Sequence, residues 1–246
     1  MKRRDFLLTS ILTPVFAKNL LANDTDIYLT ANEWRTLVTL NQRLKRLRRY
    51  VGFANFNIIS YTSALYYGRN YSRIGEFSKE ELNLIDKLFH ERPSQYGFFG
   101  IKTCENIENE ILLKDVSKIP YTGHYLFKGQ PEKDYKNLLA DVGPTLILTS
   151  GVRNVIKQLS LYVNKIYYLN GNVTQASNSI APPAYSYHTI SDFDVGRKGW
   201  GYKNFTADFA TTDEFYKMRE LDYIGMRYDK NNNDGVRFEP WHVEVI

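Results

Sequence analysis

The hydrophobic period of this chain changes part-way along it, and that change limits the folds open to it. Over residues 30–58, Trp34, Leu37, Val38, Leu44, Leu47 and Val51 recur at spacings set by one helix face. Thr30 with Glu33, and Ser78 with Glu81, are capping-box pairs. They predict one helix over 30–58 and a second from Ser78 to about His90. From Thr145 the apolar runs shorten. Residues 145–149 read as a buried strand closed by Ser150-Gly151, a helix follows over 154–165, and residues 193–195 read as another strand. Residues 170–185, with Asn-Gly and Pro-Pro, read as loop. Thr211 and Glu214 suggest a third capping box for a helix to about Leu221, ahead of strands at 223–228 and 236–246. Residues 93–143 show no clear period. Helices first and mixed strands afterwards predict an α+β fold, a helical N-terminal region packed on an antiparallel-sheet core. The predicted division is 1–22, 23–143 and 144–246.

Composition removes whole classes. With 15% aromatic residues the chain carries too much apolar area for disorder, and Cys104 is its single cysteine, so no disulfide scaffold is possible. Residues 1–22 read as a signal peptide. Lys2, Arg3 and Arg4 precede a twelve-residue apolar stretch, too short to cross a bilayer core of about 30 Å, with cleavage expected near Ala17 or Ala22. Arg3-Arg4-Asp5-Phe6-Leu7 is similar to the twin-arginine export pattern. The expected location is therefore the periplasm, as a soluble protein. Cleavage after Ala17 removes three cations and one anion from a chain of net charge +5. The remaining charge is too small to suggest a nucleic-acid partner. Five cations between Arg43 and Arg49 read as a solvated basic face, or as weak attraction to an anionic envelope surface.

Chemistry concentrates in two segments. His188 lies in Ser186-Tyr-His-Thr-Ile-Ser-Asp-Phe-Asp194, and His242 in Phe238-Glu-Pro-Trp-His-Val-Glu244. Imidazole and carboxylate are the ligand types of a catalytic zinc, which takes three protein ligands and leaves one position open for water. Two strand histidines in surface ion pairs would look the same by spacing alone.

The wording of these segments resembles the VanY-type D-alanyl-D-alanine carboxypeptidases, zinc peptidases of bacterial cell-wall peptides. That family's pattern runs S-G-x-R, then S-x-H-x-x-G-x-A-x-D, then E-x-W-H. Ser150-Gly151-Val152-Arg153 matches the first, Ser186-Tyr187-His188 opens the second, and Glu239-Pro240-Trp241-His242 matches the third. One departure stands out. The family's ligand aspartate falls seven positions after the histidine, where this chain has Val195, and Ser191 replaces the glycine. Asp194 and Asp192 lie nearby on one strand face; Asp194 is favoured, because an apolar residue follows it, and Asp192 is the alternative.

The resemblance implies one Zn²⁺ per chain held by His188, Asp194 and His242, with Glu239 as general base and acid for a metal-activated water. Glu239 and His242 stand three apart, so they share a site only if the strand bends, which Pro240 permits. Arg153 would face the developing charge on the scissile carbonyl or the substrate's carboxylate. Ser186 would position substrate, Trp241 would wall the site, and Glu244 fits either a supporting or a surface role. The implied activity is removal of the terminal D-alanine from peptidoglycan stem peptides. L,D- or endo-cleavage is the alternative within the enzyme class, and a non-catalytic wall-binding module the alternative outside it. His124 reads as structural, Cys104 as an inert hydrophobe, and 229–235 as a hairpin loop instead of a calcium site, since Pro240 stands where a calcium loop has glutamate.

Overall fold

The computed structural model describes residue 23 and residues 25–246; the predicted signal peptide lies outside the described residues. Helix α1 (Ala31–Val51) opens with the expected box, Thr30 accepting from the Glu33 amide and Glu33 accepting from the Thr30 amide at 2.9 Å. The predicted 30–58 helix is broken once. Gly52 adopts φ 85°, a conformation disfavoured for residues with a Cβ, and α2 (Phe53–Ile58) restarts beyond it. Helix α3 (Tyr61–Asn70) follows, then α4 (Lys79–His90) with its Ser78–Glu81 box. The punctuated middle of the chain supplies a two-stranded sheet, β1 (Val116–Lys118) with β2 (Tyr125–Phe127), and helix α5 (Gln130–Val142).

The C-terminal part alternates as expected but with shorter strands. Strand β3 (Leu146–Ser150) leads into α6 (Val155–Tyr168), capped by Asn154. The segment read as loop contains the short α7 (Val173–Ser177). Strand β4 (Phe193–Arg197) and α8 (Asp213–Arg219) follow. The α8 cap sits one residue later than predicted, at Thr212, because Glu214 instead accepts from the Thr145 hydroxyl at 2.6 Å. The two predicted C-terminal strands shrink to β5 (Ile224–Gly225) and β6 (His242–Val245). The intervening chain forms other bonds: Arg237 donates its amide to Asn178 and Glu239 to Tyr228. The main sheet is antiparallel in the order β3-β4-β6-β5.

Two apolar clusters frame the molecule. Leu37, Leu40, Leu44 and Leu47 of α1 are fully buried against Leu84 and Leu88 of α4 and Leu159, Tyr162 and Val163 of α6. Each such side chain contributes about 1.5–3 kcal/mol by burial. The second cluster joins α5 and α8 to one sheet face through Leu138, Leu146, Leu148, Phe193, Val195 and Val243. Strand alternation sends Asp194 to the opposite face. The basic run on α1 is less solvated than its sequence suggests. Arg43 pairs with buried Glu81 at 2.6 Å, Arg43 and Arg46 both donate to the Ile74 carbonyl, and Lys45 lies over Tyr167. Among the described residues no helix is long and apolar enough to cross a membrane.

Candidate metal centre and its cleft

Three elements bring the predicted donors together. A short 3-10 turn over Tyr187–Thr189 carries His188, β4 carries Asp194, and β6 carries His242, which is the cross-strand partner of Asp194. All three are buried, and one ligand atom from each lies within 4.8 Å of the others. His188 Nδ1 lies 2.9 Å from the Gly151 carbonyl, which can only accept, so Nδ1 holds the proton and Nε2 presents its lone pair inward. That Nε2 and Asp194 Oδ1 face each other at 3.3 Å without hydrogen-bond alignment; both are buried without a hydrogen-bond partner. Buried polar atoms are rarely left so. His242 Nδ1 completes the group, 3.2 Å from Asp194 Oδ1. The donor set, two imidazole nitrogens and one carboxylate, fits a divalent ion of the zinc type with an open position.

The two aspartates fall on opposite sides of His242. Asp194 faces Nδ1, while Asp192 Oδ2 lies 3.0 Å from Nε2. Asp192 is itself held by Arg227, at 2.5 Å from Nε, and by the Val245 amide. Arg227 in turn reaches Glu244 at 3.0 Å and lies 3.6 Å from the Tyr187 ring centre. Asp192 thus orients the imidazole while Asp194 stands among the converging donors. Nothing in the local pattern marked Arg227, which lies 35 residues from Asp192 in the chain.

Position 151 requires glycine for a steric reason. A Cβ there would stand 2.0 Å from the Tyr125 carbonyl oxygen, which already accepts the Val152 amide at 2.8 Å. Only a bare backbone lets β2 approach this closely while the Gly151 carbonyl reaches His188. Just before it, the β3–β4 register shifts between Leu148 and Ser150, bringing Ser150 opposite Asp194. Arg153 then donates from Nε to Ser150 Oγ at 2.8 Å and pairs through Nη2 with Asp194 Oδ2.

The donors open into a cleft of about 340 Å³ that Arg153, Ser186, Glu239 and Trp241 also line. The bend required at Pro240 is present, with the His242 amide donating to the Glu239 carbonyl at 3.1 Å, three residues back. It brings Glu239 and His242 into the same cleft. Glu239 is buried, with Arg237 at 3.5 Å. Trp241 packs edge-to-face on Phe205, and Ser186 is buried at the cleft wall. His124 and Lys157, not part of the predicted site, line it too. The 229–235 loop closes on itself, Asp229 accepting from the Asn231 amide. Cys104 is buried beside Phe89, Val155 and Ala184.

Charge states follow from these contacts. Burial pushes the Glu239 carboxyl up to about 7, although His242 draws it down. Burial also lowers His188 to about 4, reinforced by Arg153. Burial opposes charge on His242, but the hydrogen bond to Asp192 and the nearby Asp194 carboxylate prevail and raise it to about 9. Asp194 is held well below the usual carboxylate range in spite of burial, because His188 and Arg153 stand beside it.

Residues 132–246 match the sequence model of a family described as VanY, D-alanyl-D-alanine carboxypeptidase. Residues 132–246 of this chain are therefore similar to the VanY family. The match begins within α5 and takes in the three donors, Arg153, Ser186 and Glu239, in line with the resemblance read from the motifs. No curated protein matches the chain. Among solved structures the chain is similar to VanYB in complex with D-alanine-D-alanine, at 21% identity and TM-score 0.42, covering 53% of this chain and 76% of that one. It is also similar to a variant of the D,D-pentapeptidase VanY from a VanB-type vancomycin resistance cassette in complex with Zn(II), at 21% identity and TM-score 0.42, covering 59% and 86%. A third is the D,D-dipeptidase VanXYg in complex with a D-Ala-D-Ala phosphinate analogue, at 19% identity and TM-score 0.45, covering 52% and 53%.

Proposed function

We propose that this protein is a zinc-dependent D,D-carboxypeptidase that removes the terminal D-alanine from peptidoglycan stem peptides. In this reading residues 144–246 are the catalytic core, residues 23–143 the helical support, and the chain works in the periplasm after twin-arginine export. The observation that carries it is the convergence of His188, Asp194 and His242, two of them with buried inward atoms lacking hydrogen-bond partners, beside a buried Glu239 in one cleft. His188, Asp194 and His242 hold the ion. When bound, it supplies Lewis-acid polarisation of the attacking water and of the scissile carbonyl.

The chain's own residues do the rest. The Glu239 carboxylate accepts a proton from water as the water oxygen bonds to the carbonyl carbon, and returns a proton to the nitrogen as the C–N bond breaks. Free D-alanine and a shortened peptide result. A carboxyl poised near neutrality suits both halves of that exchange. Arg153, fixed by Ser150, places a guanidinium beside the centre to offset charge developing on the carbonyl oxygen. Ser186 lines the wall against which the peptide lies.

The test joins metal analysis to digestion of a stem pentapeptide ending in D-Ala-D-Ala. The expected result is about one zinc per chain and D-alanine release by the wild type, with Glu239→Ala keeping the metal and losing roughly 10²–10⁴-fold in rate. Zinc without D-alanine release shifts the assignment to another peptide bond or to a wall-binding module. No bound metal sinks the catalytic reading.

A further inference from the structure

Lys157 sits where neither fold nor helix favours a cation. It lies in the first turn of α6, at the positive end of the helix dipole, and only 7% of its surface is exposed. Among the described residues its ammonium has no hydrogen bond or ion pair, and it lies 5.4 Å from the centre of the Phe53 ring. Buried charges are normally paired. Beside it on the same cleft wall stands His124, 6% exposed, edge-on to the same Phe53 ring at 5.1 Å, with its Nδ1 buried and unpartnered.

The cleft offers these two groups no anion of its own. Its carboxylates are already engaged, Asp194 by Arg153 and the two ligand histidines, and Glu239 by Arg237. Arg153, the group that sequence reasoning offered to the substrate's carboxylate, is tied to Asp194 and Ser150. A negative group that Lys157 can meet therefore has to arrive with the ligand. A peptide entering a carboxypeptidase cleft brings one by definition, at its free end.

We propose that Lys157, with His124 beside it, binds the free C-terminal carboxylate of the peptide and so makes the enzyme select peptide ends over internal bonds. This rests on the peptidase reading above and adds the group that reads the terminus. Burial that keeps the Lys157 ammonium from water also strengthens its attraction to an entering carboxylate.

The experiment uses the full chain carrying Glu239→Ala and loaded with zinc, titrated calorimetrically with a pentapeptide ending in D-Ala-D-Ala, as free acid and as C-terminal amide. The acid is expected to bind at least tenfold more tightly than the amide. Adding Lys157→Met weakens the acid at least tenfold and leaves the amide unchanged, while Lys157→Arg keeps the preference. Thermal unfolding checks the fold, and Lys157→Met is expected to melt no lower than its parent. Equal binding of acid and amide by the lysine form overturns the proposal. So does an acid preference that survives Lys157→Met. A loss shared equally by acid and amide places a side-chain carboxylate at Lys157 and overturns the terminal assignment. Selectivity that depends on Lys157, in a protein whose Glu239 form releases no D-alanine, sustains this subsite and removes the D,D-carboxypeptidase reading alone.

Discussion

The two sides of α6 are built on opposite terms. Toward α1 it presents Leu159, Tyr162, Val163 and Ile166, buried among leucines with little polar to satisfy. At its N-terminal end it lines a cleft where Lys157, His188, Asp194, Glu239 and His242 are all buried, several with atoms that lack partners. The first arrangement lowers the free energy of the fold; the second raises it and is held in place by the first. Asn154 links the two, donating its amide to Asn57 and its side chain to the Ile59 carbonyl, so that the Ser150–Arg153 segment is anchored to the helical side.

The comparison breaks most visibly at the donors. Replacing His188 with Ala is expected to abolish stoichiometric zinc binding and, with it, all peptide cleavage, measured by metal analysis after gel filtration. The fold should survive, because the helical cluster is untouched. Next in size, Leu44→Ala on α1 is expected to cost about 2–5 kcal/mol in denaturant unfolding while the folded fraction keeps its metal. If metal affinity fell as steeply as stability, the two sides would not be separable in this way. Arg227→Met probes the support of the centre. With Asp192 no longer held, zinc affinity should weaken roughly 10–100-fold in a chelator competition, with little change in melting temperature.

The smallest effect sharpens the contrast. Burial, aided by Arg153 and Arg48, lowers Lys157 from 10.5 to about 7. Below pH 7 both folded and unfolded chains carry the charge, so the folded state bears the whole penalty. As pH rises from about 7 to 10.5 the folded protein has shed the proton first, and the penalty fades. Lys157→Met should therefore stabilise by about 1–2 kcal/mol at pH 6 and by almost nothing above pH 10.5. A gain that grew with pH would contradict the burial argument.

Much of this was readable before folding, wherever the signal was local. Thr30 and Ser78 announce their helices because a cap needs only a side chain and an amide three residues away. The bend at Pro240 follows from the ring's missing donor. The break at Gly52 went unread, since the apolar period runs through it. The C-terminal strands were overextended because residues 236–241 alternate like a strand but bond to Asn178 and Tyr228 instead. The roles of Asp192 and Asp194 differ by which nitrogen of His242 each meets, and no spacing rule contains that.

By itself, then, the sequence determined the periods, the caps, the glycine at 151 within its motif and the residue types able to hold a metal. The tertiary structure decided which aspartate faces inward, that Arg227 holds the other one, that Arg153 is already engaged, and that Lys157 has no anion beside it among the described residues. The reason is physical: caps and periods are made by neighbours a few residues apart, whereas a buried charge is defined by everything around it, and here those surroundings come from distant stretches of one chain.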